Sequence, residues 1–209
     1  YYNENDSYTA HWLRNLADAN LIPAGTVDER DIQDVKPEEL NGYTQCHFFA
    51  GIGGWSYALR LAGWPPARPV WTGSCPCQPF SCAGKRKGKE DERHLWPVWF
   101  GLIRACRPEW IFGEQVESAI GHGWLDLVCA DLEGEGYTVG AVVLGAHSVG
   151  APHRRQRLYW MAYTDASGRE EGEGKPRQGV CEPMGSSGAG RMDNADGNAK
   201  EACDVQRGE

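Results

Sequence analysis

Apolar residues in this chain fall into short runs that alternate with helix-period segments. From about Thr9 to Asn20, Trp12, Leu13 and Leu16 share one helical face, and Pro23 and Gly25 end the pattern. Thr26 to Val35 is mostly acidic around Val27 and Ile32, and Pro37 to Leu40 reads as a short helical turn. Gln45 to Phe49 is a compact apolar run, as expected of a buried strand. It leads through Ala50-Gly51-Ile52-Gly53-Gly54 into a helix with Trp55, Ala58, Leu59 and Ala62 on one face and Gly63 as its stop. Val70 to Thr72 predicts a strand, Leu95 to Cys106 a helix, and Trp110 to Phe112 a strand. Leu125 to Leu132 predicts a helix, and Thr138 to His147 and Arg157 to Ala162 predict strands. Strands alternating with helices predict an α/β fold with a mostly parallel sheet flanked by helices.

The pattern stops after Tyr163. Thr164 to Glu209 is rich in Gly, Glu, Asp and Ser and poor in apolar residues, so it is expected to be disordered or an incomplete domain. That divides the chain into residues 1–163, one domain with a core, and 164–209.

Charge and cysteine content narrow the picture. The 209 residues carry a net charge of −8, which argues against a generic nucleic-acid binder. Yet Lys85, Arg86, Lys87, Lys89 and Arg93 cluster, as do Arg154, Arg155 and Arg157, and local basic patches can meet phosphate. The eight cysteines form no C-x-x-C pair, so reduced, mostly buried thiols are expected, with no metal. No apolar run approaches the roughly 20 residues of a membrane span, and the polar start is unlike a signal peptide; an intracellular protein is expected.

Three places carry candidate chemistry. Pro76-Cys77-Gln78-Pro79-Phe80-Ser81 holds a thiol between two prolines, a stiff loop at a strand end. A lone cysteine is more often a small core residue, but a rigidly held thiol can serve as a nucleophile. Strand, glycine turn and helix at Phe49 to Gly54 suit a nucleotide-like ligand, or else a tight turn with no ligand. Glu114 and Arg157 flank strand ends, where ligands gather in open α/β sheets.

Phe49-Ala50-Gly51-Ile52-Gly53-Gly54, Pro76 to Ser81, Glu114-Gln115-Val116 and Arg155-Gln156-Arg157-Leu158-Tyr159 occur in this order. Together they resemble the DNA (cytosine-5) methyltransferase family, from about Gln45 to Tyr163, and are most similar to its short phage-type members, relatives of restriction-modification enzymes. The resemblance implies a Rossmann-like fold binding S-adenosylmethionine at Phe49, Gly51, Ile52, Gly53 and Gly54. It implies Cys77 adding to carbon 6 of a flipped-out cytosine. Glu114, best protonated, would hold N3 and the exocyclic amine, Arg157 would hold O2, and Arg155 would support the site. Pro76, Gln78, Ser81, Lys85, Arg86 and Arg93 would meet the base or the DNA backbone.

The stretch Gly63 to Gly73 is too short for the βα units that the family carries between its cofactor loop and its catalytic loop. A permuted order, with that material in front, is therefore expected: Asp28 or Glu29 for the ribose, Asp31 and Ile32 for the adenine. Gln115 stands where the family has Asn, and His153 where it often has Gln. Residues 1–163 would be the catalytic domain, and 164–209 the start of a recognition region inside which the chain stops. The expected protein is a monomeric cytoplasmic enzyme acting on double-stranded DNA. An RNA cytosine methyltransferase, a silent remnant that binds cofactor or nucleic acid, and a structural Cys77 are the competing readings.

Overall fold

The computed structural model describes residues 1–76 and 95–164. Residues 77–94 and 165–209 lie outside them, so Cys77, Gln78, Ser81, Lys85, Arg86, Arg93 and the expected tail are not placed.

Among the described residues one seven-stranded sheet runs through the molecule. The strands are β1 (Tyr2–Asn3), β2 (Val27–Asp28), β3 (Gln45–Phe48), β4 (Val70–Gly73), β5 (Trp110–Val116), β6 (Thr138–Gly145) and β7 (Gln156–Tyr163). Their spatial order is β2-β1-β3-β4-β5-β7-β6. The first five are parallel, and β7 runs antiparallel to both β5 and β6. In the common doubly wound order the first strand is central and carries the glycine turn. Here that place belongs to the third strand, β3, and the two strands outboard of it come earlier in the chain. The order is permuted at the N-terminus, as expected.

The helices are α1 (Ser7–Asp18), α2 (Gly54–Leu61), α3 (Trp96–Cys106) and α4 (Trp124–Gly134). Asp6 caps α1 by accepting from the Thr9 amide at 2.8 Å, satisfying one of the free donors of its first turn. The inner face of α1 is Ala10 and Leu13, with Leu16 and Ala17 partly covered; Trp12 points outward. Likewise α2 buries Ser56 and Leu59, whereas Ala58 and Ala62 are exposed. The Ser56 hydroxyl meets the Tyr2 hydroxyl at 3.1 Å, so α2 is seated on β1 by a polar pair as well as by Leu59.

The main core lies on the other face, under α3 and α4. Phe48, Trp71, Ile111, Leu158 and Trp160 of the sheet meet Trp96, Trp99, Leu102 and Ile103 of α3. Trp96, Trp99 and Trp160 stand 5.8 Å apart, ring to ring. Two glycines make that cluster possible. Gly73 and Gly113 pair in register across β4 and β5. A Cβ on Gly73 would lie 2.6 Å from Trp99, and one on Gly113 would lie 2.1 Å from Trp160. The indoles occupy the space those side chains would need.

Candidate active site

The site is built at the carboxyl ends of β1, β3, β4 and β5. At the end of β3 the chain turns sharply: Phe49, Gly51 and Gly53 all have positive φ (50°, 53° and 79°). Gly53 is the N-cap of α2, and a Cβ there would sit 3.1 Å from Leu13. The turn therefore needs glycine both for its backbone and for the approach of α1.

β1 ends beside this turn. The Ala50 amide donates to the Asn3 carbonyl at 3.0 Å, and the Gly51 amide to Glu4 Oε2 at 2.7 Å. The other Glu4 oxygen accepts from the Asp6 amide at 3.0 Å. Buried Asn3 donates to the Arg30 carbonyl at 2.9 Å and so fixes the loop that presents Asp31. One Asp31 oxygen caps the following turn at the Gln33 amide (2.9 Å). A cavity of about 110 Å³ opens between these elements, lined by Glu4, Asn5, Asp31, Ile32, Phe49 and Pro76 and closed by Leu95.

Asp28 and Glu29 lie outside this lining. Asp28 is gripped by Arg30 (2.7 Å) and accepts from the Tyr1 hydroxyl (2.7 Å). The Arg30 guanidinium holds its carboxyl down at about 2. Glu29 pairs with Arg14 at 2.7 Å. Exposed Ile52 sits at the tip of the glycine turn, away from the cavity lining.

A second hollow, about 320 Å³, lies on the α2 side of the sheet, lined by Gly54, Trp55, Ala58, Ser74, Glu114 and Tyr159. Glu114 is part of β5 rather than following it, because β5 runs on to Val116. Arg157 Nε meets Glu114 Oε1 at 2.9 Å, both side chains about a quarter exposed. The antiparallel register makes this pair: Glu114 faces Tyr159 and Val116 faces Arg157, so Arg157 reaches Glu114 diagonally. Arg155 lies in the preceding loop with φ of 36°, exposed, with no bond to Glu114 or Arg157 among the described residues. His153 is also exposed.

The segment leaving β4 walls both spaces. Pro76 lines the cavity of Glu4 and Asp31, and Ser74 lines the hollow of Glu114. Trp55 Nε1 donates to Ser74 Oγ and Gln115 Nε2 to the Cys75 carbonyl, each at 3.0 Å. Two of the described thiols are poor nucleophile candidates: burial pushes Cys46 up to about 12 and also raises Cys106. Among the described residues no group of three or more His, Cys, Asp or Glu could hold a metal ion. No described helix is long and apolar enough to cross a membrane.

Reading the sequence alone missed Glu4, Asn5, Leu95 and the two ties on Ser74 and Cys75. The signal for Glu4 was an acid directly after Tyr1-Tyr2-Asn3. A two-residue strand has no alternation to reveal it.

Fold and cavities define a doubly wound α/β protein with two clefts at its strand ends, one of them lined by Glu114 of a carboxylate–guanidinium pair. The chain belongs to the C-5 cytosine-specific DNA methylase family, whose model matches residues 65–180, more than half of its length. It is 34% identical over 106 residues to the Type II methyltransferase M.AplI of Arthrospira platensis, covering 50% of this chain and 31% of that protein. It is 26% identical over 171 residues to M.HhaI of Haemophilus parahaemolyticus, covering 62% and 52%. For M.NlaX of Neisseria lactamica the figures are 34% over 143 residues, 64% and 45%. The chain thus spans about a third to a half of the length of these relatives. Among solved structures, the Entamoeba histolytica methyltransferase EhMeth matches with a TM-score of 0.51 at 18% identity, covering 81% of this chain and 45% of that one. A putative DNA modification methyltransferase encoded in an E. coli prophage gives 0.51 at 17%, covering 78% and 39%. At these identities the likeness is one of fold.

Proposed function

We propose that this protein transfers a methyl group from S-adenosylmethionine to carbon 5 of a cytosine flipped out of double-stranded DNA, through a covalent bond to Cys77. The observation that carries this reading is the shared wall. One short segment, Ser74 to Pro76, borders the Glu4–Asp31 cavity on one side and the Glu114 hollow on the other, and Cys77 follows it directly.

The cavity suits the adenosine half of the cofactor. Glu4 stands where a carboxylate would accept from ribose hydroxyls, and Phe49 offers a ring face to the base. Asp31 keeps one oxygen for the exocyclic amine, and Ile32 and Leu95 complete an apolar wall. Glu4, not Asp28 or Glu29, fills the ribose role in this reading, because those two acids are committed to Arg30 and Arg14. The glycine turn would hold the methionine end along Gly51, Gly53 and Gly54. When bound, the cofactor supplies an electrophilic methyl on a sulfonium.

The chain's own residues do the rest. Cys77 thiolate forms a bond to carbon 6, and the displaced electron pair makes carbon 5 nucleophilic. Glu114 holds N3 and the amine, and Arg157 holds O2, stabilising the charge that develops as sulfur adds. In the free protein these two satisfy each other, so the base must part them, and Glu114 must take on a proton or share one with N3. After methylation a base removes the carbon 5 proton. The electron pair restores the ring double bond, and the sulfur–carbon bond breaks to return the thiolate. Flipping costs a few kcal/mol. Gln78, Ser81, Lys85, Arg86 and Arg93 would meet that cost through backbone and phosphate contacts, with Arg155 in support.

Residues 1–163 would form the catalytic unit and 164–209 would belong to target recognition, in a monomeric cytoplasmic protein. Labelled methyl transfer into duplex DNA, single-stranded DNA and RNA tests the reading, with nuclease digestion to identify the product. Label in 5-methylcytosine from DNA is expected. Label only in RNA, or none, would overturn it.

A further inference from the structure

The β4–β5 ladder stops at the pair Gly73–Gly113. Beyond it, Ser74 lines the Glu114 hollow and Pro76 the Glu4–Asp31 cavity, with Cys75 between them. Two side chains hold this segment. From α2, Trp55 Nε1 donates to Ser74 Oγ at 3.0 Å. From β5, Gln115 Nε2 donates to the Cys75 carbonyl at 3.0 Å. Gln115 is buried, and its amide oxygen accepts from the Val116 amide at 2.9 Å. That second bond fixes which way the amide faces, since a flipped amide would set donor against donor. Trp55 is braced in turn by Phe112 (6.1 Å) and Tyr159 (6.2 Å, edge-on).

We infer that Trp55 and Gln115 form a two-point clamp that positions the segment leading to Cys77, and that this clamp couples it to both halves of the site. Through Trp55 the segment is tied to the helix that starts at the glycine turn. Through Gln115 it is tied to the strand that carries Glu114. Both are positioning residues, since neither touches a reacting atom. The long side chain at 115 sets the reach of the second tie. Asn, one methylene shorter, would have to draw the segment towards β5 to make the same bond.

The inference rests on the proposed methyl transfer, so its test reads two things. One is the rate at which the full protein captures a 5-fluorocytosine duplex covalently. The other is amide hydrogen exchange at Ser74 and Cys75. Trp55→Phe keeps a ring and removes the donor; Gln115→Met keeps length and removes the amide. Measured well below the melting temperature, each variant is expected to capture about tenfold more slowly, the loss of one hydrogen bond's worth of positioning, with faster exchange at Ser74 and Cys75 and unchanged cofactor affinity. Gln115→Asn is expected to recover part of the rate. The double variant should lose less than the product of the two losses, because both bonds hold one segment. Unchanged exchange in both single variants, or capture at the native rate, overturns the clamp. Faster exchange in variants of a native protein that captures nothing would support the clamp and overturn the methyl-transfer reading instead.

Discussion

The Glu4 carboxylate accepts a hydrogen bond from the Gly51 amide at 2.7 Å, joining the end of the first strand to a turn 47 residues later. This contact places an acid at the mouth of the Asp31–Phe49 cavity. A hydrogen bond from a ligand hydroxyl to a charged partner is worth about 1.5–3 kcal/mol. Glu4→Ala should therefore weaken S-adenosylmethionine binding by roughly ten- to a hundredfold in calorimetry. Asp28→Asn and Glu29→Gln should leave it within about twofold. The reverse ranking would return the ribose role to those two acids.

The paired glycines at the sheet centre predict a stability effect with no chemistry in it. Gly113→Ala would drive a methyl into the Trp160 indole at 2.1 Å, and Gly73→Ala would meet Trp99 at 2.6 Å. Neither indole is free to move, because each packs on the other and on Trp96. Overpacking of this kind costs about 1–3 kcal/mol or more. Gly113→Ala should be the worse of the two in denaturant melts, whereas Gly54→Ala, with open space around its Cα, should cost little.

Two groups contribute to the acid side of the stability curve, in different windows. His47 is buried between Tyr2 and Thr72, its Nδ1 2.8 Å from the Thr72 hydroxyl. Burial, assisted by the nearby amine of Tyr1, pushes it down to about 3. The unfolded chain takes up a proton near 6.5, which the folded one refuses until about 3. Stability from His47 is therefore complete above about 6.5 and falls away as pH drops towards 3. Asp28, held at about 2 by Arg30, contributes above its ordinary value near 3.9 and is lost as pH falls through 2. Melting temperatures from pH 7 to 4 should fall for the native protein and flatten in His47→Gln, while Asp28→Asn should change the slope below pH 4.

Much of this architecture was legible in the chain. The β3 run, the glycine turn, the stop at Gly63 and the helix between Leu95 and Cys106 all follow from periodicity and turn chemistry. What escaped was made by long-range contact. β1 is two residues long and exists because β2 and β3 flank it, so no local pattern announces it or its acid Glu4. Trp12 and Ala58 fit a helical stripe but face solvent, because the sheet edge under α1 and α2 is filled by Ala10, Leu13, Ser56 and Leu59. Glu114 was recognisable as chemistry, whereas its pairing with Arg157 depends on the β5–β7 register.

That pairing makes its own prediction. If Glu114 and Arg157 part to hold opposite edges of one base, each should matter to the transition state far more than to cofactor binding. Glu114→Gln should slow methyl transfer by about 10²–10³, the scale of losing one stabilising group aimed at developing charge. Arg157→Lys, which keeps the charge and loses the fork, should fall well below native activity. Cofactor affinity should stay native in both; a parallel loss would make the pair structural.

The central claim concerns Cys77, and trapping reads it most directly. Fluorine on carbon 5 cannot leave as a proton does, so the adduct persists after methyl transfer. Incubation of the protein with S-adenosylmethionine and a 5-fluorocytosine duplex, followed by mass spectrometry, should give one covalent complex with the mass of protein, oligonucleotide and one methyl. The modified peptide should contain Cys77, and Cys77→Ser should give no complex. Attachment at another residue, or methyl transfer that survives Cys77→Ser, would contradict the account.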